Sequence, residues 1–246
     1  MKVAIIGAME EEVSLLRSKL NYLKTQTIAG FEFYLGDIDG VEVVLLRSGI
    51  GKVNAAISTT LMLQQYKPDY VINTGSAGGF HTDLNVGDIV ISSGVCHHDV
   101  DVTPFGYDLG QVPGMPACFL PDPRLVKAAQ DSIEALEEVV HMHGLIATGD
   151  RFMHCVEDVK NTRSNFPEMI ACEMEAAAVA QACHTFETPF VIIRSLSDIA
   201  GKENAVTFEK YLEQAATHSA KVILEMLNQL KKRSKKKPSS ELLRFE

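Results

Sequence analysis

The sequence predicts an α/β protein, a three-layer sandwich with helices on both faces of a largely parallel or mixed central sheet. Two observations carry this. Apolar runs of strand length alternate along the chain with segments whose apolar residues recur at helical spacing. The chain also has 246 residues, 46% of them hydrophobic and 22% charged, enough to bury the core of one large domain.

Taken in order, Lys2 to Gly7 is an apolar strand closed by glycine, and Met9 to Leu20 carries Val13, Leu16 and Leu20 at helical spacing. Phe31 to Gly36 and Val41 to Arg47 flank Asp37-Ile-Asp-Gly40, whose Asp-Gly pair signals a hairpin. Lys52 to Tyr66 reads as a helix closed by Pro68, and Tyr70 to Asn73 as a short strand running into Gly75-Ser-Ala-Gly-Gly79. Asp88 to Ser92 is a further strand. Between Thr103 and Pro123 stand five prolines and three glycines, the composition of a long loop, ordered or mobile. Leu125 to Val139 is helical, Leu145 to Thr148 a strand, Val156 to Asn165 a short helix, and Met169 to Cys172 strand-like. Met174 to His184 is an alanine-rich helix ended before Pro189, and Pro189 to Arg194 is the most apolar strand. Phe208 to Leu230 closes the fold as a long helix. Residues 1–230 are thus read as one domain, and 231–246 as a basic tail expected to be solvated and disordered.

The net charge of −9 is unevenly spread. The last sixteen residues hold seven of the 23 Lys and Arg, which leaves residues 1–230 with 16 basic against 30 acidic side chains, a net −14. A body this acidic repels nucleic acid and polyphosphates but not a neutral or partly cationic small molecule. No apolar run is long enough to span a bilayer, and the chain starts directly on a strand without a leader-like segment, so a soluble cytoplasmic protein is expected. Five cysteines with no C-x-x-C pair argue against disulfides or a structural zinc site.

Three carboxylates follow apolar strand-like runs: Glu12 after Lys2 to Gly7, Glu175 after Met169 to Cys172, and Asp198 after Pro189 to Arg194. In open α/β sheets ligands bind outside the carboxyl ends of the strands, so acids placed there converge on one crevice. Converging carboxylates can protonate a leaving group, activate water and steady a cationic transition state, the chemistry of cutting a sugar from another group.

Each motif also has a plainer reading. Glu10, Glu11 and Glu12 sit in a first helical turn, where acids favour the positive end of the dipole with or without catalysis. Asp198 can be a helix cap, although Ile199 to Asn204 is a weak helix start; kept protonated by an apolar wall it can instead deliver a proton. Arg194 can hold another carboxylate in place. Glu173 and Glu175 lie beside Cys172 and a run of alanines, and acids are rarely buried without a reason. Gly49-Ile50-Gly51 and Gly75 to Gly79 fit neither a P-loop nor G-x-G-x-x-G, which weighs against an ATPase or a dehydrogenase. They are either tight turns or pliant backbone lining a pocket, with amides and Ser76 free for a ligand oxygen. His97, His98, Asp99 and Asp101 suggest metal ligands, but adjacent strand histidines point to opposite faces. A pocket wall or subunit contact is the better reading, and no metal is expected.

Together, Ile5-Ile-Gly-Ala-Met-Glu-Glu-Glu-Val13, Ser48-Gly-Ile-Gly-Lys-Val-Asn54, Asn73-Thr-Gly-Ser-Ala-Gly-Gly79, Asn85-Val-Gly-Asp-Ile89, His98-Asp-Val-Asp-Val-Thr103, Phe105-Gly-Tyr107, Gly149-Asp150, Glu173-Met-Glu-Ala176 and Ser197-Asp198 strongly resemble the bacterial 5′-methylthioadenosine/S-adenosylhomocysteine nucleosidases. The resemblance runs from residue 1 to about residue 230. It implies a fold of the purine nucleoside phosphorylase type, a homodimer, and hydrolysis of the N-ribosidic bond of methylthioadenosine, S-adenosylhomocysteine and 5′-deoxyadenosine, in methionine salvage and methyl-cycle recycling, with no metal or organic cofactor. By position, Asp198 resembles the general acid at N7 of adenine, and Glu12 the residue that activates water, with Ser76 and Arg194 nearby. Glu175 and the Met174 backbone match the ribose-binding positions. Phe152 resembles the ring that stacks on adenine, and the Met153 backbone the group that reads its edge; Gly78 and Ser197 belong to the same binding set. Met9, Ile50 and Phe208 match the 5′-alkylthio pocket, which Val102, Phe105 and Pro113 of the partner subunit would complete.

Pro104 and Arg151 depart from the family pattern, at places expected to hold alanine and a small residue, and the basic tail has no counterpart in it. Three rival readings remain: a phosphorylase of the same fold, a nucleoside-binding module without catalysis, and a scaffold whose basic tail binds RNA.

Overall fold

Apolar side chains pointing alternately to the two faces of one central strand set up the layers. In β1 (Lys2–Gly7), Val3 and Ile5 face one core while Ala4 and Ile6 face another, because successive strand side chains point to opposite faces. The computed structural model describes residues 1–136, 140–200 and 204–235. Parallel pairing joins β1 to β4 (Val41–Arg47) and β5 (Tyr70–Gly79), and β5 to β9 (Phe190–Ile199). The β2 (Asn21–Ile28) and β3 (Phe31–Ile38) strands extend the sheet antiparallel beyond β4. On the other side, β8 (Met169–Glu173), β7 (His141–Thr148) and β6 (Ile89–His97) lead back to β9, so β5, β8, β7, β6 and β9 form a closed ring. The sheet is mixed, as expected, and its closure adds a feature that alternating elements alone do not reveal.

Helices α1 (Glu10–Ser18), α3 (Pro123–Glu134) and α6 (Asn204–Lys235) cover one face, with Leu16, Leu125 and Met226 fully buried there. Helices α2 (Lys52–Tyr66) and α5 (Ala176–Thr185) cover the other through Met62, Val179 and their neighbours. Each such aliphatic side chain contributes about 1.5–3 kcal/mol by leaving water. A third cluster, with Val159 of α4 (Val156–Asn165) and Phe166, packs beside the ring. Local signals explain the boundaries: α2 stops at Lys67, left-handed at φ 45° before Pro68, and α3 starts at Pro123 under Asp122, whose carboxylate accepts from the amides of Arg124 and Leu125.

The structure adds to the expected elements in several places, and β6 and β7 are both longer than the strands expected there. β2 has no counterpart in the sequence reading: it is an exposed edge strand of mixed polar residues with a bulge between Asn21 and Lys24, so it carries no apolar alternation. The Gly75 to Gly79 segment is the end of a ten-residue strand rather than a turn. Asp198 lies inside β9, opposite Gly78, where a register shift follows Ala77. The Thr103 to Pro123 loop is ordered by its own turns, among them a 3₁₀ turn at Thr103–Phe105 and the bond from Gly110 N–H to the Val100 carbonyl. Finally, α6 runs on to Lys235: Lys231 Nζ donates to the Asp39 carbonyl and Arg233 pairs with Asp131, so the first basic residues are helical and docked rather than solvated. The rest of the expected tail, 236–246, and the expected helical residues 137–139 lie outside the described residues.

Candidate active site

Glycine lets two acidic side chains approach β5. A Cβ on Gly75 would stand 2.8 Å from Glu12 Oε1, and one on Gly78 would stand 3.2 Å from Asp198 Oδ2. Glu12 is the third residue of α1 and reaches back to the helix start, where its Oε2 accepts from the amides of Ala8 (2.7 Å) and Met9 (3.2 Å). Its Oε1 accepts from the Ser76 amide (2.9 Å) and hydroxyl (3.0 Å). The helix-start reading and the site reading of Glu12 therefore hold at once. Its carboxylate is 4% exposed and fixed at both oxygens.

Asp198 is 3% exposed and accepts from the Ser197 hydroxyl at 2.9 Å. Glu173 and Glu175 separate into different tasks at the β8–α5 junction. Glu173 turns inward: its carboxylate takes the Arg194 guanidinium at 2.6 Å, the amides of Glu175 and Ala176 at 3.0 and 2.8 Å, and the Thr148 hydroxyl. Arg194 is 1% exposed and spends a second contact on Asn73 Oδ1 at 2.7 Å. It holds a carboxylate, as expected from the sequence, but it does not line the cavity: its guanidinium is drawn to Glu173 and Asn73 behind the wall. Glu175 accepts from the Gly51 amide at 2.8 Å, and burial, reinforced by the negative Glu173, pushes its carboxyl up to about 8.

These side chains wall a cavity of about 290 Å³ at the strand ends. Glu12, Asp198, Ser76, Gly78, Met174, Glu175, Ser197, Phe152, Met9, Ile50 and Phe208 all line it, as do Glu173, the other acid of the Glu173–Glu175 pair, and Ala8, Ala77 and Cys172. Phe152, 40% exposed, meets Phe208 edge to face at 5.7 Å. Met153 lines a narrow neighbouring pocket that shares Phe152, Gly78 and Asp198 with the main one. Val102, Phe105 and Pro113 lie outside the cavity of their own chain, with Phe105 81% exposed. Asn73 and Thr148 were missed; a polar side chain inside an apolar strand is the signal each carried.

No three His, Cys, Asp or Glu side chains are grouped as metal ligands among the described residues. His97 is buried against Gln181 of α5, Asp99 pairs with Lys52 and Asp101 accepts from Thr103, so this motif ties the fold together instead of facing the cavity. The five cysteines are all free. No helix among the described residues is long and apolar enough to cross a membrane.

An α/β sheet whose strand ends gather buried acids and an aromatic ring around one small cavity defines a small-molecule-binding protein of the α/β class. Comparison with known proteins narrows this. The pattern of the phosphorylase superfamily matches residues 2–228. The 5′-methylthioadenosine/S-adenosylhomocysteine nucleosidase of Hydrogenovibrio crunogenus is 74% identical over 94% of this chain and its own full length, and that of Bacillus subtilis is 58% identical over the same shares. The nucleosidase of Colwellia psychrerythraea, solved with adenine, superposes with a TM-score of 0.92 at 55% identity over 94% of this chain and 96% of its own. That of Neisseria meningitidis, solved with methylthio-immucillin-A, gives 0.91 at 48% identity over 93% and 99%. The chain belongs to the 5′-methylthioadenosine/S-adenosylhomocysteine nucleosidases of the phosphorylase superfamily.

Proposed function

We propose that this enzyme hydrolyses the N-ribosidic bond of 5′-methylthioadenosine and S-adenosylhomocysteine, releasing adenine and the thioribose. The observation that carries the reading is the convergence of Glu12, Glu175 and Asp198 on one cavity. Asp198, held by Ser197 beside the narrow pocket of Phe152 and Met153, gives a proton to N7 so that adenine leaves as a neutral base. Positive charge then builds on the sugar. Glu12, fixed by four donors, takes the proton of the attacking water and stabilises that charge where bulk water is excluded. Glu175, protonated near neutral pH in the free enzyme, and the Met174 backbone hold the ribose hydroxyls, while Met9, Ile50 and Phe208 receive the 5′ substituent.

Phosphorolysis is disfavoured by charge, since among the described residues no Lys or Arg lines the main cavity and the buried Arg194 guanidinium is committed to Glu173 and Asn73. A homodimer fits the surface. Ile50, Val53 and Ile57, spaced along one face at the start of α2, are about half exposed or more, and Phe105 and Leu120 project from the long loop. In this arrangement Val102, Phe105 and Pro113 of each chain close the apolar end of the partner's cavity.

The test is adenine release from methylthioadenosine in phosphate-free buffer and again with phosphate. Free thioribose in both is expected. Sugar 1-phosphate formed only with phosphate would make this a phosphorylase, and no release in either would leave a binding module.

A further inference from the structure

Three separate loops at the rim of the cavity are tied into one ring of hydrogen bonds. Lys52, the first residue of α2, donates its Nζ to Asp99 Oδ1 at 2.6 Å, and its amide donates to Asp150 Oδ1 at 2.8 Å. The amide of Asp150 in turn donates to Asp99 Oδ2 at 3.0 Å, which closes the ring. Asp99 follows β6, Asp150 follows β7 and Lys52 follows the Gly49 to Gly51 turn, so the only covalent connections among them run through the body of the fold.

Two of the three joined loops carry walls of the cavity. Phe152 lies two residues after Asp150, Ile50 lies two residues before Lys52, and Gly51 donates its amide to Glu175. Gly51 is left-handed at φ 92°, and a Cβ there would stand 3.1 Å from Asp150 Oδ1, so only glycine lets the ring close this tightly. The Lys52 and Asp99 side chains are 20% and 23% exposed, which limits screening of their charge pair. Although partial burial acts to raise it, the Lys52 ammonium and the Asp150 amide hold the Asp99 carboxyl below its ordinary value.

The geometry points to Asp99 and Lys52 as positioning residues that set the distance between Phe152 and the Ile50–Gly51 edge, and hence how tightly the nucleoside is gripped. Neither lines the cavity, so they act through the loops they join. Loss of the ring loosens ground-state binding while Glu12 of α1, held by Ser76 of β5, and Asp198 of β9 keep their places.

The inference rests on the nucleosidase reading for its kinetic test, and calorimetric binding of adenine gives a readout independent of turnover. Asp99→Asn and Lys52→Met are each expected to raise KM for methylthioadenosine about five- to tenfold, with kcat changed less than about twofold, and to weaken adenine binding by a similar factor. Asp99→Glu should recover part of the loss. In a Phe152→Ala background Asp99→Asn should have little further effect on KM, because the wall it positions is gone. If Asp99→Asn leaves KM and adenine affinity unchanged, lowers kcat and KM-independent stability alone, or adds in full to Phe152→Ala, the positioning role is wrong. Absence of turnover in the wild type with intact adenine binding would fail the nucleosidase reading and leave the positioning test to the calorimeter.

Discussion

At the scale of single residues, the site depends on carboxylates brought close to glycine. Glu12→Gln keeps the size of the side chain but cannot take a proton from water, and Asp198→Asn cannot deliver one. Each should fold normally, bind adenine and lose about 10²–10⁴-fold in kcat, read from steady-state adenine release beside a thermal melt. Near wild-type turnover by either variant would remove its assigned role. Gly75→Ala places a methyl 2.8 Å from Glu12 Oε1 at a backbone φ of 156° that favours glycine, so the carboxylate must move and the strand is strained; a kcat loss of about 10- to 100-fold with a lowered Tm is expected. Glu175 gives a pH signature. Its carboxyl titrates at about 8 when folded against 4.5 ordinarily, so between those values the folded chain holds a proton that the unfolded chain has lost. Stability from this group is therefore greatest below about pH 4.5 and falls as pH rises towards 8. Urea unfolding of Glu175→Gln at pH 5 and pH 8 should show a smaller drop between the two than the wild type, and an equal drop would contradict the raised titration.

At the scale of elements, the β8–α5 junction shows how structure and site share residues. Glu173 ends the strand, accepts the first amides around the α5 start and neutralises Arg194, all without solvent. Removing one partner of such a buried pair strands the other's charge. Glu173→Gln is accordingly expected to cost about 3–5 kcal/mol in urea unfolding, and Glu173→Leu with Arg194→Met less than the two single changes together. Additive costs would show that the two side chains do not depend on each other. Much of this architecture was legible beforehand: β1 and β4 follow from apolar runs of strand length, α2 and α4 match the bounds read from the sequence, and the acids after the strands follow the sheet rule. What was not legible has physical causes. Strand β2 is polar because an edge needs no buried face, and Gly75 to Gly79 is composed like a turn because the approaching carboxylates forbid a Cβ. Arg194 is pulled behind the cavity by Glu173, a contact between residues 21 apart that no local pattern encodes.

At the scale of the whole molecule, the proposed dimer would complete the cavity of each chain. The cavity's apolar end exposes Ile50, 51% accessible, and Phe152, while Phe105 extends from the long loop into solvent, away from any cavity of its own chain. Apolar surface of this extent on α2 and the loop is costly unless covered, and a two-fold dimer covers both with the same self-complementary patch. The residues proposed for the partner's wall rest on family resemblance alone, because no spacing rule reports which side chains cross a subunit boundary. The dimer makes a divided prediction. Val53→Asp, on the outward face of α2 and outside the cavity, should yield a folded monomer by sedimentation whose turnover is impaired, since its cavity lacks the partner's wall. Phe105→Ala should remain dimeric but raise KM for methylthioadenosine roughly 10-fold, the loss of one aromatic contact to the 5′ group. Mixing inactive Glu12→Gln chains with Phe105→Ala chains then tests sharing directly: in the mixed dimer the intact catalytic acids of one chain face the intact Phe105 of the other, so a wild-type KM should reappear in part of the population. If the mixture keeps the KM of Phe105→Ala, each cavity is closed by its own chain and the shared site is refuted.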